Sequence, residues 1–296
     1  MRNFLILLFF ILPFMSQGQT DSLSVVDSTE DPLKEEINFI SYLNDRGAHR
    51  DALLAIEAFR KQFPQVTGGT SDTLNFFTAW SLYQLKQSDS SLIFFDQIPA
   101  VSPLSDKAFF YGILNRIYAG RYSESVVKLS AYQKENFLPL RNFQLSAIAL
   151  LQKDLVTFDS LAKNFDGKHY AFSEEQSSLI KYADTLRNYP RKSAFLAGFM
   201  SALVPGSGKI YTGKTGQGVA AFLEIAALGG ATAEYYFRSG PRSAGFIIFG
   251  SLFSLFYIGN IWGSALSVHV NRNDFYQRID NNIMVDLHIP LRRIFQ

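Results

Sequence analysis

From Asp31 to Tyr189 apolar positions recur at helical spacing, and each stripe ends at a proline or a short polar break. Ala52, Leu53, Ile56, Ala58, Phe59 and Phe63 form one stripe, closed by Pro64. Leu92, Phe94, Phe95 and Ile98 form another, closed by Pro99. Period-two alternation is scarce, so this part is predicted to be helical throughout. Four segments share one order of events: an apolar helix end, a polar turn, and a helix entered through a small or polar residue. They read YLNDRGAHRDALLAIEAF, LYQLKQSDSSLIFFDQI, RIYAGRYSESVVKLSAY and LLQKDLVTFDSLAKNF. With Leu53, Leu92, Val126 and Phe158 taken as equivalent, the spacings are 39, 34 and 32 residues. Phe76, Phe77, Trp80 and Tyr83 also recur at helical spacing and are expected in the core rather than on a binding face.

Beyond Pro190 the pattern changes from stripes to nearly unbroken apolar runs. Phe195 to Val204 is ten residues, about 15 Å of helix, half a bilayer core, so it predicts an interfacial helix over 194–204, or a re-entrant one. Residues 218–237 are interrupted only by Glu224, Thr232 and Glu234, and residues 244–268 form a second run. Each run is long enough to cross the roughly 30 Å hydrocarbon core as a helix. The polar link RSGPR, residues 238–242, is so short that the two spans are expected as an antiparallel hairpin. Gly229, Gly230, Gly245, Gly250, Gly259 and Gly263 would let these helices approach closely.

Charge follows the same boundary. Residues 21–190 carry 21 acidic and 17 basic side chains, whereas residues 191–296 carry 5 and 10. Arg238 and Arg242 place positive charge in the hairpin turn, which is expected to face the cytoplasm. Glu224 is within reach of Lys209 or Lys214 and Glu234 of Arg238. Ion pairing near the membrane faces is the favoured reading of the two acids, and a proton or ion relay the alternative. The chain opens with Arg2 and an apolar run from Phe4 to Met15, followed by small and polar residues. This is the layout of a secretory signal peptide over 1–18, with an uncleaved anchor as the alternative. A serine- and aspartate-rich leader follows over 19–30. No cysteine is present, so disulfides, thiolate catalysis and cysteine zinc sites are excluded.

Gly208 to Thr215 spells G-x-x-x-x-G-K-T, the lettering of a phosphate-binding loop. That loop needs a preceding buried strand, but the residues before it, FLAGFMSALV, carry small residues at helical spacing. No nucleotide is expected. The same stretch also reads Pro205, Gly206, Gly208, Tyr211, Gly213 in a P-G-x-G-x-x-Y-x-G order, followed at once by the two apolar runs. Over residues 192–270 this resembles the TM2-type two-span hairpin domains and a related family of Bacteroidota envelope proteins. The resemblance implies a turn at the membrane surface through which the chain enters the bilayer. The helix pairs of residues 31–190, with their spacing near 34 residues, resemble the tetratricopeptide repeat family. That resemblance implies a concave face able to hold a protein partner.

His49, His169, His269 and His288 are scattered without ligand spacing, and no catalytic motif is present. No catalytic residue, metal or cofactor is expected, nor a nucleic-acid surface. In the tail, 271–296, Ile283, Val285, Leu287 and Ile289 alternate, which predicts a short strand or an extended arm. The expected fold is therefore all-α: a tetratricopeptide-like solenoid, an interfacial helix, a turn over 205–217 and a two-helix transmembrane hairpin. The expected function is that of a non-catalytic scaffold or adaptor in envelope assembly. It would be anchored in the inner membrane and bind partner proteins through a helical domain facing the periplasm. The alternative is a part of a transport or membrane-protein-insertion machine acting through the hairpin.

Overall fold

The computed structural model describes residues 32–167 and 169–295. The expected signal peptide and leader lie outside the described residues. Every regular element among the described residues is helical, as the spacing of apolar positions predicts. Nine α-helices follow one another among them, each packed on the next. They are α1 (Pro32–Asp45), α2 (His49–Gln62), α3 (Gly69–Gln84), α4 (Ser88–Asp96), α5 (Ser105–Tyr118), α6 (Tyr122–Ala131), α7 (Leu138–Leu151), α8 (Leu155–Ala162) and α9 (Ser173–Arg187).

One turn geometry is used four times. Gly47, Lys86, Gly120 and Lys153 each lie two residues after the end of α1, α3, α5 and α7, and each has a positive φ of 60 to 75°. The next amide in each case donates to a carbonyl five residues back: Ala48 to Leu43, Gln87 to Leu82, Arg121 to Arg116 and Asp154 to Ala149, at 2.8 to 2.9 Å. This pattern ends a helix by satisfying its last carbonyls, and glycine suits the left-handed position best. Leu53, Leu92, Val126 and Phe158, the four residues aligned by sequence, lie on α2, α4, α6 and α8. A non-glycine residue in the left-handed region is strained by about 1 kcal/mol. Lys86→Gly should therefore stabilise the chain by up to about that amount, read as a higher midpoint in thermal unfolding. A lowered midpoint would contradict the turn as described.

The second part comprises α10 (Ala194–Leu203), α11 (Ser207–Tyr211), α12 (Thr215–Ser239) and α13 (Ala244–Phe295), with α10 and α12 both packed on α13. Among the described residues only α13 is long and apolar enough to cross a membrane by length and composition. α12 has the length, but Glu224, Glu234 and its small residues lower its hydropathy. Large apolar side chains on α10, α12 and the first half of α13 face outward, including Phe195 (81% exposed), Leu223 (61%), Leu255 (68%) and Trp262 (77%). A core helix of a soluble domain would bury such residues. An outward apolar band of this kind marks a surface that meets something other than water.

The tail corrects the expectation of a strand or extended arm. α13 does not stop near residue 268 but runs unbroken to Phe295, 52 residues or about 78 Å at the standard rise. Its second half packs against α5, α7 and α9, every second helix of the series. Ile279, Ile283, Leu287 and Leu291, four residues apart, share one buried cluster with Phe110, Phe143, Ile148 and Leu179. Val285, which the alternation placed with them, is exposed. Asp280 pairs with Lys153, and Arg293 with Glu175 at 3.0 Å. The chain thus returns to the helical domain and supplies part of its core.

Candidate functional site

The turn between α10 and α12 is built on contacts that only glycine permits. Gly206, with φ of +83°, caps α11, and a Cβ there would lie 2.0 Å from the Gly218 carbonyl oxygen. A Cβ on Gly208 would lie 1.9 Å from the Ala197 carbonyl oxygen. Pro205 follows the last residues of α10, and Gly213, at φ of +95°, leads out of α11. The Tyr211 hydroxyl accepts from the Ser193 amide at 3.2 Å, and its carbonyl accepts from Lys192 Nζ at 2.8 Å. Sequence order thus places Pro205, Gly206, Gly208, Tyr211 and Gly213 in one compact turn.

The G-x-x-x-x-G-K-T letters are not folded as a phosphate loop. A helix, α10, precedes them, and α11 occupies their middle. The Gly208 amide donates to Ser201 Oγ at 3.0 Å, and the amides of Ile210, Thr212, Gly213 and Lys214 donate to nearby carbonyls. These amides are engaged within the fold rather than turned toward a phosphate.

A polar stripe on α13 locks it to this turn. Tyr257, Asn260, Ser264, Ser267 and Asn271 recur at spacings of three and four, one face of the helix. The Tyr257 hydroxyl donates to the Ala202 carbonyl, and Ser264 Oγ lies 2.7 Å from Ser201 Oγ. Ser267 donates to Thr212 Oγ1 at 3.1 Å, and Asn271 donates to the Thr212 carbonyl at 3.0 Å. Sequence reasoning passed over this stripe, although polar residues at helical spacing inside an apolar run were the available signal.

The two acids part company. Glu234 pairs with Arg238 at 2.8 Å, as expected, near the turn that also carries Arg242. Glu224 has no cation within 4.0 Å among the described residues, so its expected pairing with Lys209 or Lys214 is not formed. It shares a cleft of about 390 Å³ between α12 and α13 with Lys209 and Asn260. Asn260 is buried, and its Oδ1 has no hydrogen-bond partner.

A second candidate lies in the helical domain. A cleft of about 540 Å³ opens between α1, α3, α5 and the end of α13, lined by Phe76, Phe77, Trp80, Tyr111, Lys107 and Arg292 among others. Trp80 meets Tyr111 edge to face at 5.0 Å. Phe76 is buried, as expected of a core residue, whereas Phe77 and Trp80 are half-buried at the cleft. Tyr83, half-buried on the same helix, places its hydroxyl 3.3 Å from Nδ1 of His288, a residue of the cleft wall. Sequence could not join Trp80 to His288 and Arg292, because only the return of α13 brings them together. Neither Lys107 nor Arg292 has a carboxylate within 4.0 Å among the described residues. Burial holds the Lys107 ammonium below its usual range, with Asp45 acting the other way.

Burial, and secondarily Arg292, also lowers the His288 pKa below its ordinary 6.5. A histidine held neutral in the fold takes up a proton more readily when unfolded. Its contribution is therefore present above pH 6.5 and lost as pH falls through and below that value. Thermal midpoints measured at pH 7.5 and 5.5 should fall further for the native chain than for His288→Gln. Equal falls would contradict a neutral His288 at this contact.

Among the described residues no group of three or more His, Asp or Glu is placed to hold a metal. Comparison with protein-family models, curated proteins and solved structures finds no match for this chain, so its functional reading rests on its own residues.

Proposed function

We propose that the protein is a non-catalytic scaffold that holds protein partners at a fixed distance and orientation from a membrane. The observation that carries this reading is α13. Its first half exposes an apolar face, and one face of its second half is buried against the helical domain, with no break between them. A helix that is rigid across both parts cannot let the domain swing freely. In this reading α12 and the first half of α13 form a two-span hairpin in the inner membrane. α1 to α9 form a tetratricopeptide-like solenoid facing the periplasm after signal-peptide removal, in the service of envelope assembly. In such a solenoid the face formed by α5, α7 and α9 would be filled by the chain's own α13, which packs on these three helices. The part left open is the aromatic cleft around Trp80, whose cations Lys107 and Arg292 suit a segment with an acidic side chain or a terminal carboxylate.

The test is site-specific photo-crosslinking in cells. A photoreactive residue at Gln84, exposed at the cleft, should capture one discrete protein, and Arg292→Glu should remove that product. The same residue at Ile93, exposed on α4 away from the cleft, should capture nothing. Equal capture at both positions, or none at Gln84, would sink the scaffold reading. A role in transport or membrane-protein insertion is the second reading, supported by the unpaired Glu224 and the unsatisfied Asn260 in one cleft. In that case Glu224→Gln would abolish the cellular function while leaving the Gln84 product unchanged.

A further inference from the structure

We propose that the junction between the helical domain and the apolar band binds an anionic phospholipid, with the phosphate above and an acyl chain below. The inference rests on the reading that the apolar band lies in a bilayer, and goes beyond it by assigning a ligand. Two adjoining features carry it. The first is a cleft of about 940 Å³ where the link from α9 to α10, the end of α11 and α13 meet. Its walls carry Arg191, Lys192, Arg272 and Arg278 against a single acid, Asp274. None of the four cations has a carboxylate within 4.0 Å among the described residues. Lys192 donates to the Tyr211 carbonyl, and Arg278 makes only a long contact of 3.4 Å to the Asp274 carbonyl. The four positive charges therefore line an open cleft that holds one acid, Asp274, and no ion pair among the described residues.

The second feature is an apolar groove of about 530 Å³ between α10 and α13, lined by Phe195, Phe199, Trp262 and Leu266. The two meet along α13: Arg272 belongs to the basic cleft, and its Nη2 lies 3.3 Å from Nδ1 of His269, which lines the groove. On the other wall, Lys192 of the cleft is three residues from Phe195 of the groove. Charge and hydropathy thus change over at one level, the arrangement that a phospholipid presents at the boundary of headgroup and chain. A free phosphate or nucleotide would use the cleft but leave the groove without a partner. Basic residues close to an anionic membrane surface each contribute about fivefold to binding.

The tryptophans make the site readable, because Trp80 and Trp262 are the only two. In a Trp80→Phe background the fluorescence of Trp262 reports the groove alone. The full chain is reconstituted in phosphatidylcholine vesicles into which brominated phosphatidylglycerol or brominated phosphatidylcholine is titrated. The phosphatidylglycerol should quench at a mole fraction at least about 20-fold lower. Arg191→Gln with Arg278→Gln should all but abolish that preference, each cation removed costing about fivefold. Arg238→Gln with Arg242→Gln, at the far end of the hairpin, should leave it unchanged. Equal quenching by the two lipids, or an unchanged preference in the first double variant, overturns the proposal. Reversal of quenching by millimolar inorganic phosphate also overturns it, in favour of a free-anion site. Absence of quenching by either lipid would instead sink the membrane reading on which the proposal rests.

Discussion

Leu287→Asp should unfold the helical domain, not merely release the end of α13. Leu287 is fully buried in the cluster that also holds Phe110, Phe143 and Leu179. Loss of a buried leucine alone costs about 2 to 5 kcal/mol. An unpaired carboxylate left among apolar side chains adds several more, or forces the site to open to water. Together these approach the whole stability of a typical domain, about 5 to 15 kcal/mol. Val285→Asp, two residues away, should change little, because Val285 is 58% exposed. In an extended arm the two residues would share a face and the two variants would behave alike. Circular dichroism and limited proteolysis of the purified full chain distinguish these outcomes.

Gly208→Ala should strongly destabilise the turn between α10 and α12. Its Cβ would lie 1.9 Å from the Ala197 carbonyl oxygen and 2.6 Å from Ser201 Oγ, so backbone of α10 or α11 must move. Overpacking a close contact costs about 1 to 3 kcal/mol, and more where backbone cannot yield. The polar contacts of Ser201 with Ser264 and with the Gly208 amide would be displaced at the same time. Gly216→Ala meets nothing within 4 Å and has no positive φ, so it should be neutral or slightly stabilising. Gly213→Ala also meets nothing, but its φ of +95° should cost about 1 kcal/mol or more. The expected order of thermal stability in detergent is therefore Gly216→Ala, then Gly213→Ala, then Gly208→Ala. A Gly208→Ala chain as stable as the native one would refute the close approach of α10 and α11.

The helices and their turns were legible because they are set by local chemistry. Stripes at helical spacing define α1 to α9, and the order of apolar end, polar turn and small residue marks the four left-handed turns. Lys86 and Lys153 obscure the repeat, since they stand where Gly47 and Gly120 meet the same backbone demand more cheaply. The turn from Pro205 to Gly213 was legible for the same reason, its glycines being needed where two backbones touch. The tail is ambiguous in sequence because Ile283, Val285, Leu287 and Ile289 satisfy a period of two as well as a period near four. Packing against α5, α7 and α9 decided between the two periods, and that information lies more than a hundred residues away in the chain. Glu224 was assigned a partner by reach along a helix, but Lys209 instead lies along α13, with its Cε 3.9 Å from where a Cβ on Gly263 would stand.

Side-specific labelling of single cysteines tests most directly the claim that one helix leaves the bilayer and enters the helical domain, since the native chain has no cysteine of its own. Ser123, on α6, and Asn282, on the docked half of α13, are both exposed, as is Ser239 at the opposite end of the hairpin. Ser239 precedes α13, and Asn282 lies 38 residues into it, about 57 Å of helix and more than a bilayer's thickness. In cells whose outer membrane has been opened, Ser123→Cys and Asn282→Cys should both react with a membrane-impermeant thiol reagent. Ser239→Cys should react only after the inner membrane is broken. Labelling of Ser239→Cys in intact spheroplasts with Ser123→Cys and Asn282→Cys protected would reverse the hairpin, and labelling of Ser123→Cys and Asn282→Cys from opposite sides would contradict the single helix outright.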